Sequence, residues 1–205
     1  MDCPEGGVPV AEDPPARSTG EMPEQEAELL VFMREEKDQF LKGHPQSPIP
    51  EEIRDDFKGL DYFPVNPSCR FHCRLNRYLD PEAVRMMTSA GVERDYLKVG
   101  YVRFIIDGRV QTLQAYRSAQ EDRSEGEGET LFVPFKDATC GKESYGAGRY
   151  LEIEENPDGS FLVDFNRAYN PFCAYSEKYS CPYPPRENWL DVEVKAGEKK
   201  FRDQR

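Results

Sequence analysis

The segment from residue 164 to residue 188 combines carboxylate, amide, thiol and phenol groups in a stretch without helical periodicity. Asp164 and Asn166 are two residues apart near the end of a predicted strand, so their side chains should share one face at the rim of a sheet. Cys173 could act as a nucleophile if a base lay beside it, because the thiolate is the reactive form. The chain has only two histidines, and neither lies in a recognised catalytic motif. The segment therefore carries reactive groups without selecting a reaction.

A second group of polar side chains occupies the loop "DATCGKESYGAGR", which begins at Asp137 and ends at Arg149. Asp137 could serve as a general base, as could Asp164 in the first segment. Alternatively, Asp137 could close a turn with Thr139, since Asp side chains often bind the backbone two residues on. Arg149 could hold an anion beside closely spaced glycines, or it could cap loop carbonyls. The sequence leaves both pairs of alternatives open.

The stretch "CRFHC" brings Cys69, His72 and Cys73 close enough together to raise the question of a zinc site. In a strand, however, the two cysteines point to one face and His72 points to the other. Free cysteine also behaves as a small hydrophobic residue in protein cores. We therefore predict that Cys69 and Cys73 are core residues and that no metal is bound.

The bulk composition limits the classes of partner. A formal net charge of −12 argues against binding to nucleic acid and to anionic membrane surfaces. No apolar run approaches the ~20 residues needed to span a bilayer, and the N-terminal residues lack the features of a secretory signal. We predict a cytoplasmic protein in which Cys173 and Cys181 stay reduced. The sequence selects neither a cofactor nor an oligomeric state.

The elements that must position these side chains follow from the hydrophobic pattern. Residues 1–23 are rich in Pro, Gly and Glu and predict a disordered tail, and residues 24–205 predict a single domain. Apolar residues at helical spacing predict helices within 24–58, while alternation predicts antiparallel β structure over 62–201.

Turn signals divide the β region into hairpins. Asp107-Gly108 predicts one tight hairpin, the stretch 156–159 predicts a second, and alternation in 189–198 predicts a last strand. About seven strands joined mostly by hairpins predict a mainly β, α+β fold. The favoured architecture is an antiparallel rolled sheet or partly closed barrel, and a two-sheet sandwich is the alternative.

Three short runs in the second half of the chain are distinctive: "GRYL" at 148–151, "DFNRAYNP" at 164–171 and "CPYPPREN" at 181–188. These runs resemble the pattern of the domain of unknown function 1684 family of prokaryotic proteins. The resemblance covers roughly residues 27–201. It implies a shared fold and supplies no activity.

We expect the two polar loops to meet at one end of the sheet and to bind a small polar or anionic molecule there. Two arginines would hold an anionic group, two asparagines would orient it, and three tyrosines would form the walls. The predicted ligand-binding residues are Arg149, Arg167, Asn166, Asn170, Tyr145, Tyr169 and Tyr175.

Two other functions remain open. The same pocket could belong to a hydrolase-type enzyme that uses Asp137 or Asp164 as a base, or Cys173 as a nucleophile. The aromatic segment 164–188 could instead bind another protein. Independently of function, that segment could line a cavity or plug the end of the sheet.

Overall fold

The computed structural model describes residues 12–119 and 129–201. The fold is mainly β with helices near its N-terminus, as predicted. Helix α1 spans Glu24–Gly43, and helix α2 spans Glu51–Arg54. No helix in these two ranges is long and apolar enough to cross a membrane.

Helix α1 begins directly after Pro23 and ends at Gly43, the residue at which the sequence predicts a stop. Its acidic first turn suits the positive end of the helix dipole. Only Leu30 and Leu41 are buried, and Leu41 belongs to a small apolar cluster with Ile49 and Phe57. One side of the helix thus rests on the domain while much of it faces solvent.

The strands fall into two sheets. Their bounds are β1 Ala16–Arg17, β2 Arg70–Arg74, β3 Asn76–Met87, β4 Glu93–Ile106, β5 Arg109–Ser118, β6 Thr130–Phe135, β7 Arg149–Glu154 and β8 Ser160–Asp164. The main sheet has the order β1-β4-β5-β6-β7, with β3 also paired to β4. Strands β2 and β8 form a separate antiparallel pair. The remaining helical elements are short 3₁₀ turns at Pro67–Cys69, Phe165–Arg167, Phe172–Ala174 and Arg186–Asn188.

This arrangement corrects the prediction that the sheet is wholly antiparallel. The main sheet is mixed because β1 runs parallel to β4, and among the described strands it does not close on itself. The chain leaves the main sheet after β7, and β8 pairs with β2 instead of continuing the sheet. Both sheets contribute to one core, where Phe71, Phe104 and Phe165 lie with ring centroids 4.8–6.3 Å apart.

The two predicted hairpins have different outcomes. The Asp107-Gly108 turn joins β4 and β5, and both residues have positive φ angles of 50° and 74°. That geometry is the one two-residue hairpin turns require, so this prediction is confirmed. A tight turn also forms at 156–159, where the amide of Asn156 donates to the carbonyl of Ser160 at 2.7 Å. The predicted pairing is confirmed there only for one antiparallel bridge, between Glu155 and Phe161, because the strand that follows then pairs with β2.

The predicted last strand is also wrong. Leu190, Val192 and Val194 are buried in alternation with exposed residues, as the sequence indicates, but within the described residues the segment forms only isolated bridges, of Trp189 with Lys136 and of Glu198 with Tyr62. Much of its backbone hydrogen bonding is made to side chains of the loop before β7 and of β7 itself. The apolar alternation therefore indicates which side chains are buried. Hydrogen bonds to the side chains described below take the place of a regular strand ladder.

Part of the predicted tail contacts the sheet. Ala16 and Arg17 of β1 pair with Phe104 and Ile105, and the carboxylate of Glu12 accepts hydrogen bonds from Tyr101 and Arg103. Residues 12–17 therefore contact the main sheet, while residues 1–11 lie outside the described part of the chain.

Candidate functional site

Asp137 and Arg149 form a fully buried ion pair, with 3.1 Å between the Asp137 Oδ1 and the Arg149 Nη2 atoms. Asp137 Oδ2 accepts bonds from the amide and hydroxyl of Thr139, as the side-chain-closed turn predicts. The same oxygen accepts the amide of Val194 at 2.8 Å. Both side chains have zero exposure. The carboxylate that could act as a base is thus saturated by protein donors.

The Arg149 guanidinium donates to the carbonyls of Val194, Ala196 and Glu198. These bonds fix the extended C-terminal segment against the sheet and take the place of a strand ladder. The capping of carbonyls is the alternative that the sequence left open for Arg149. All of its described bonds are made to the protein, so this geometry gives no support to its predicted role in binding a ligand anion.

Asp164 and Asn166 belong to a second buried network. Asp164 accepts the Asn166 amide at 3.0 Å and the Arg70 Nε atom at 3.0 Å. The side chain of Asn166 bonds both the amide and the carbonyl of Asn66, at 2.7 and 2.9 Å. This pairing copies the way one backbone bonds another in a sheet. These contacts of Asp164 and Asn166 favour the plug, one of the two alternatives that the sequence leaves open for the segment.

A buried carboxylate that sequence reasoning missed organises the next part of the segment. Glu198 is 2% exposed and accepts bonds from the Asn170 amide at 2.8 Å and the Tyr175 hydroxyl at 3.0 Å. Lys37 of α1 pairs with its other oxygen at 2.5 Å. Burial, together with the Glu198 charge, raises the pKa of Tyr175 well above its ordinary value, so the phenol stays a donor. Asn170 and Tyr175 therefore hold α1 and the C-terminal segment together.

Beneath α1 lies a small cavity of about 160 Å³ that Asn166, Arg167 and Tyr169 help to line. The Arg34 guanidinium stacks over the Tyr62 ring at 4.2 Å. Among the described residues, the buried Arg34 Nε and Tyr62 hydroxyl atoms have no hydrogen-bond partner. The volume is below the ~300–1,000 Å³ typical of ligand sites. The cavity suits water or a small ion better than a metabolite.

A larger cleft of about 570 Å³ opens beside the second half of the segment. We call it the aromatic cleft, because six aromatic side chains line it: Tyr96, Phe132, Tyr150, Tyr169, Phe172 and Tyr179. Tyr96, Phe132 and Tyr150 come from β4, β6 and β7 of the main sheet, and the other three come from the irregular segment.

The rings of the aromatic cleft contact one another in sequence across the sheet. Tyr96 and Phe132 stack with centroids 5.6 Å apart, and Tyr150 meets Phe132 edge-on at 4.8 Å and Tyr169 edge-on at 5.8 Å. On the segment side, Phe172 and Tyr179 are edge-on at 5.3 Å. Such contacts fix ring orientation before any ligand arrives.

Hydrogen bonds hold two of these phenols. The Tyr150 hydroxyl donates to the carbonyl of Pro182 at 2.5 Å, and the Tyr169 hydroxyl donates to Glu152 at 2.9 Å. Burial raises the pKa of both tyrosines above the ordinary range, so they remain neutral. The wall of the cleft therefore carries no negative charge of its own at these positions.

Two cations stand at the opening of the aromatic cleft. Arg94 and Lys178 both line it and are both exposed. Within residues 12–119 and 129–201, neither side chain forms a salt bridge. A neutral aromatic wall with two uncommitted positive charges can bind a flat ring that carries an anionic group.

Cysteine chemistry also borders the aromatic cleft. Cys181 lines it, and its Sγ atom accepts the backbone amide of Cys173 at 3.3 Å. The predicted wall residue Tyr145 does not line the cleft, and its hydroxyl lies 3.7 Å from the Cys173 Sγ atom. Cys181 thus forms part of the cleft lining, and Cys173 is in direct contact with it.

The structure therefore distributes the predicted binding residues instead of gathering them. Tyr169 lines the aromatic cleft and the small cavity, and Asn166 and Arg167 line the small cavity alone. The others belong to the buried networks or lie beside Cys173. Sequence reasoning missed Tyr96, Phe132 and Arg94. Aromatic residues on the polar face of a strand are the signal that could have identified the first two.

The "CRFHC" stretch forms strand β2 and the turn before it, with Cys69 and Cys73 buried and His72 exposed. Burial raises the pKa of these thiols to about 11 and about 12 respectively, which keeps them protonated. Both lie in the main core, as predicted. The described residues contain no cluster of three or more potential metal ligands.

Comparison with known proteins agrees with the resemblance noted in the sequence. A solution NMR structure of an uncharacterised protein from Haloarcula marismortui is 43% identical, with a TM-score of 0.66, and the match covers 88% of this chain and 97% of that one. No curated protein matches the chain. The model of a protein family of unknown function matches residues 55–199, a range that includes every residue named above as lining the aromatic cleft. The chain therefore belongs to the family described as protein of unknown function (DUF1684).

Proposed function

We propose that this protein binds a small molecule with a flat apolar ring and an anionic group in the aromatic cleft. The observation that carries the proposal is the combination of six aromatic side chains with the two cations Arg94 and Lys178 in one cleft of about 570 Å³. That volume lies within the ~300–1,000 Å³ typical of small-molecule sites.

The two parts of the cleft would contribute differently. Aromatic rings that are already oriented by their neighbours supply contact area at a low entropic cost. Exposed cations at an opening mainly speed association and exclude cations, and their effect weakens as salt rises. The rings should therefore provide most of the affinity, and Arg94 and Lys178 should provide the preference for anions.

This proposal keeps the anionic ligand expected from the sequence and changes the residues that hold it. Arg149, Asn166 and Asn170 are committed to protein partners, whereas Arg94 and Lys178 are exposed. The alternative of an enzyme with a carboxylate base receives less support. Asp137 is saturated by protein donors, and Asp164 accepts bonds from Arg70 and Asn166.

The test uses a matched pair of probes, 2-naphthoate and its neutral amide, added to the isotopically labelled full chain. We expect NMR shift changes confined to the aromatic cleft and tighter binding of the carboxylate. Changing Arg94 and Lys178 together to Gln should weaken 2-naphthoate by roughly tenfold, about 1.4 kcal/mol, and leave the amide unchanged. The matched control is Lys42→Gln, an exposed lysine of α1 outside the cleft.

Equal affinity for the two probes would contradict the role of the cations. Shift changes centred on the cavity beneath α1, or spread evenly over the surface, would contradict the aromatic cleft as the site. A second measurement at raised ionic strength should give a smaller difference in affinity between 2-naphthoate and its amide, because salt screens the charges of Arg94 and Lys178.

A further inference from the structure

The two cysteines of the irregular segment are held against each other by their own backbone. Cys173 lies in the 3₁₀ turn Phe172–Ala174, and its amide donates to the Cys181 Sγ atom eight residues away at 3.3 Å. The Cys181 amide in turn donates to the Ser89 hydroxyl at 3.1 Å. Ser89 also donates to the carbonyl of Tyr179. Contacts from the loop after β3 thus fix the position of Cys181 relative to Cys173.

The surroundings of the two thiols are asymmetric. The Cys181 side chain, and secondarily the Tyr145 hydroxyl 3.7 Å from the Cys173 Sγ atom, lower the pKa of Cys173, although burial opposes this effect. The pKa of Cys181 is raised, first by its hydrogen bond to Cys173 and then by burial. The Cys173 sulfur is thus favoured as a thiolate, and the Cys181 sulfur is favoured as a thiol.

This asymmetry distinguishes Cys173 from the other described cysteines. Burial raises the pKa of Cys140, whose Sγ atom accepts the amide of Asp137 and lies 3.6 Å from the carboxylate of that residue. Burial also raises the pKa of Cys69 and Cys73 in the core. Among the described thiols, Cys173 alone has a lowered pKa.

A small molecule can reach this pair. Cys181 lines the aromatic cleft, and Cys173 is partly exposed beside it. A resolving thiol that faces an open cleft beside a thiolate is the arrangement of an exchanging dithiol, whereas structural thiols are buried and inert.

We propose that Cys173 and Cys181 form a dithiol that exchanges with low-molecular-weight disulfides entering through the aromatic cleft. This activity goes beyond the proposed binding function and does not depend on it. It also accommodates a reducing compartment, since disulfides formed there are usually transient and catalytic or redox-sensing.

The exchange has two balanced steps. The Cys173 thiolate attacks one sulfur of a disulfide R–S–S–R, forms a Cys173–S–S–R bond and releases R–S⁻, which takes up a proton from solvent. Cys181 then loses its proton and attacks the Cys173 Sγ atom, which forms the intramolecular disulfide and releases the second thiolate as R–SH. The protein dithiol is oxidised by two electrons, and the external disulfide is reduced to two thiols.

The test uses the reduced full chain with hydroxyethyl disulfide and peptide-resolved mass spectrometry, which separates Cys3 from the other cysteines. In the wild type we expect a transient adduct on Cys173 followed by a Cys173–Cys181 disulfide. Cys181→Ser should accumulate the adduct on Cys173, and Cys173→Ser should lose both products. Cys140→Ser is the matched control and should behave as the wild type.

The pH dependence of iodoacetamide labelling gives a second measurement. The groups facing the pair are Tyr145, Tyr150, Tyr169 and Arg94, and the three tyrosines stay neutral over the range used. We expect Cys173 labelling to begin at a lower pH than Cys140 labelling and to exceed it by roughly tenfold or more at pH 5.5.

Several results would overturn the proposal. Equal labelling of Cys173 and Cys140 at pH 5.5 would show that Cys173 is not an unusually reactive thiolate. A mixed disulfide that persists on wild-type Cys173 would show that Cys181 does not attack it. If the Ser variants fold poorly, the order of products in the wild type still decides the question, because an intramolecular disulfide without a prior Cys173 adduct contradicts the mechanism.

Discussion

Residues 164–170 and residues 171–182 of the irregular segment both carry aromatic side chains but have opposite structural roles. In residues 164–170, Asp164, Asn166 and Asn170 are buried and bonded to backbone and charged groups of other elements. In residues 171–182, Phe172 and the two cysteines remain partly exposed around an open cleft. Aromatic side chains thus indicate that both parts of the loop are packed. The groups that the loop side chains contact decide whether that part of the loop fills space or lines an open cleft.

The largest effect is expected from the buried network that supports the first half. Arg149→Ala should destabilise the fold by about 3–5 kcal/mol, because it leaves Asp137 as an uncompensated buried charge and three carbonyls without donors. Urea denaturation should measure the loss. Arg85→Gln, which breaks an exposed pair with Glu93, is the control and should cost less than about 1 kcal/mol. Similar losses for both variants would show that burial of the pair contributes little.

An effect of intermediate size on stability is expected from a change at Asn166. Asn166→Ala should destabilise the fold by about 1–3 kcal/mol, because the amide and carbonyl of Asn66 lose their partner. Binding of 2-naphthoate in the aromatic cleft should be unchanged. The control is Gln46→Ala, which removes an exposed amide side chain. Loss of 2-naphthoate binding without loss of stability would instead make Asn166 a ligand-binding residue, as the sequence predicts.

The smallest effect on stability is expected in the second half. Phe172 is 40% exposed, so Phe172→Ala should change the free energy of unfolding by less than about 1 kcal/mol. The same change should weaken 2-naphthoate several-fold, since one wall of the cleft is removed. Val110→Ala, at another exposed apolar residue far along the sheet, is the control for both measurements. A large loss of stability with unchanged 2-naphthoate binding would show that Phe172 supports the fold and does not contribute to binding in the cleft.

Local signals predicted the elements that depend on local physics. Helix α1 and the β4–β5 hairpin follow from periodicity and from a turn that accepts positive φ angles, and both are confirmed. Strand β3 was missed, because Pro81 and several charged residues weaken its pattern. Its register with β4 shifts between Arg77 and Glu82, as suits an edge strand that contains proline.

The candidate site was harder to predict because its parts are far apart in the sequence. The sequence pointed to the correct segment and to Tyr169, but Tyr96 and Phe132 read as ordinary strand residues until the sheet brings them beside it. Arg149 and Asp137 were predicted with two alternatives each, and the structural alternative agrees with their contacts. Choosing between those alternatives requires knowing which backbone lies opposite, and that depends on long-range contacts.

The contacts of Arg149 have a consequence for the order in which the chain can acquire its structure during synthesis. Its acceptors at Val194, Ala196 and Glu198 lie 45, 47 and 49 residues further along the chain. Until the ribosome has released those residues, strand β7 carries a guanidinium that cannot be buried with its carbonyl partners. The nascent main sheet should therefore remain open at this edge, and chaperones or proteases would meet it in that state. The β7 edge can therefore be completed only after residues 194–198 have been synthesised, so folding of this part of the sheet follows the order of synthesis.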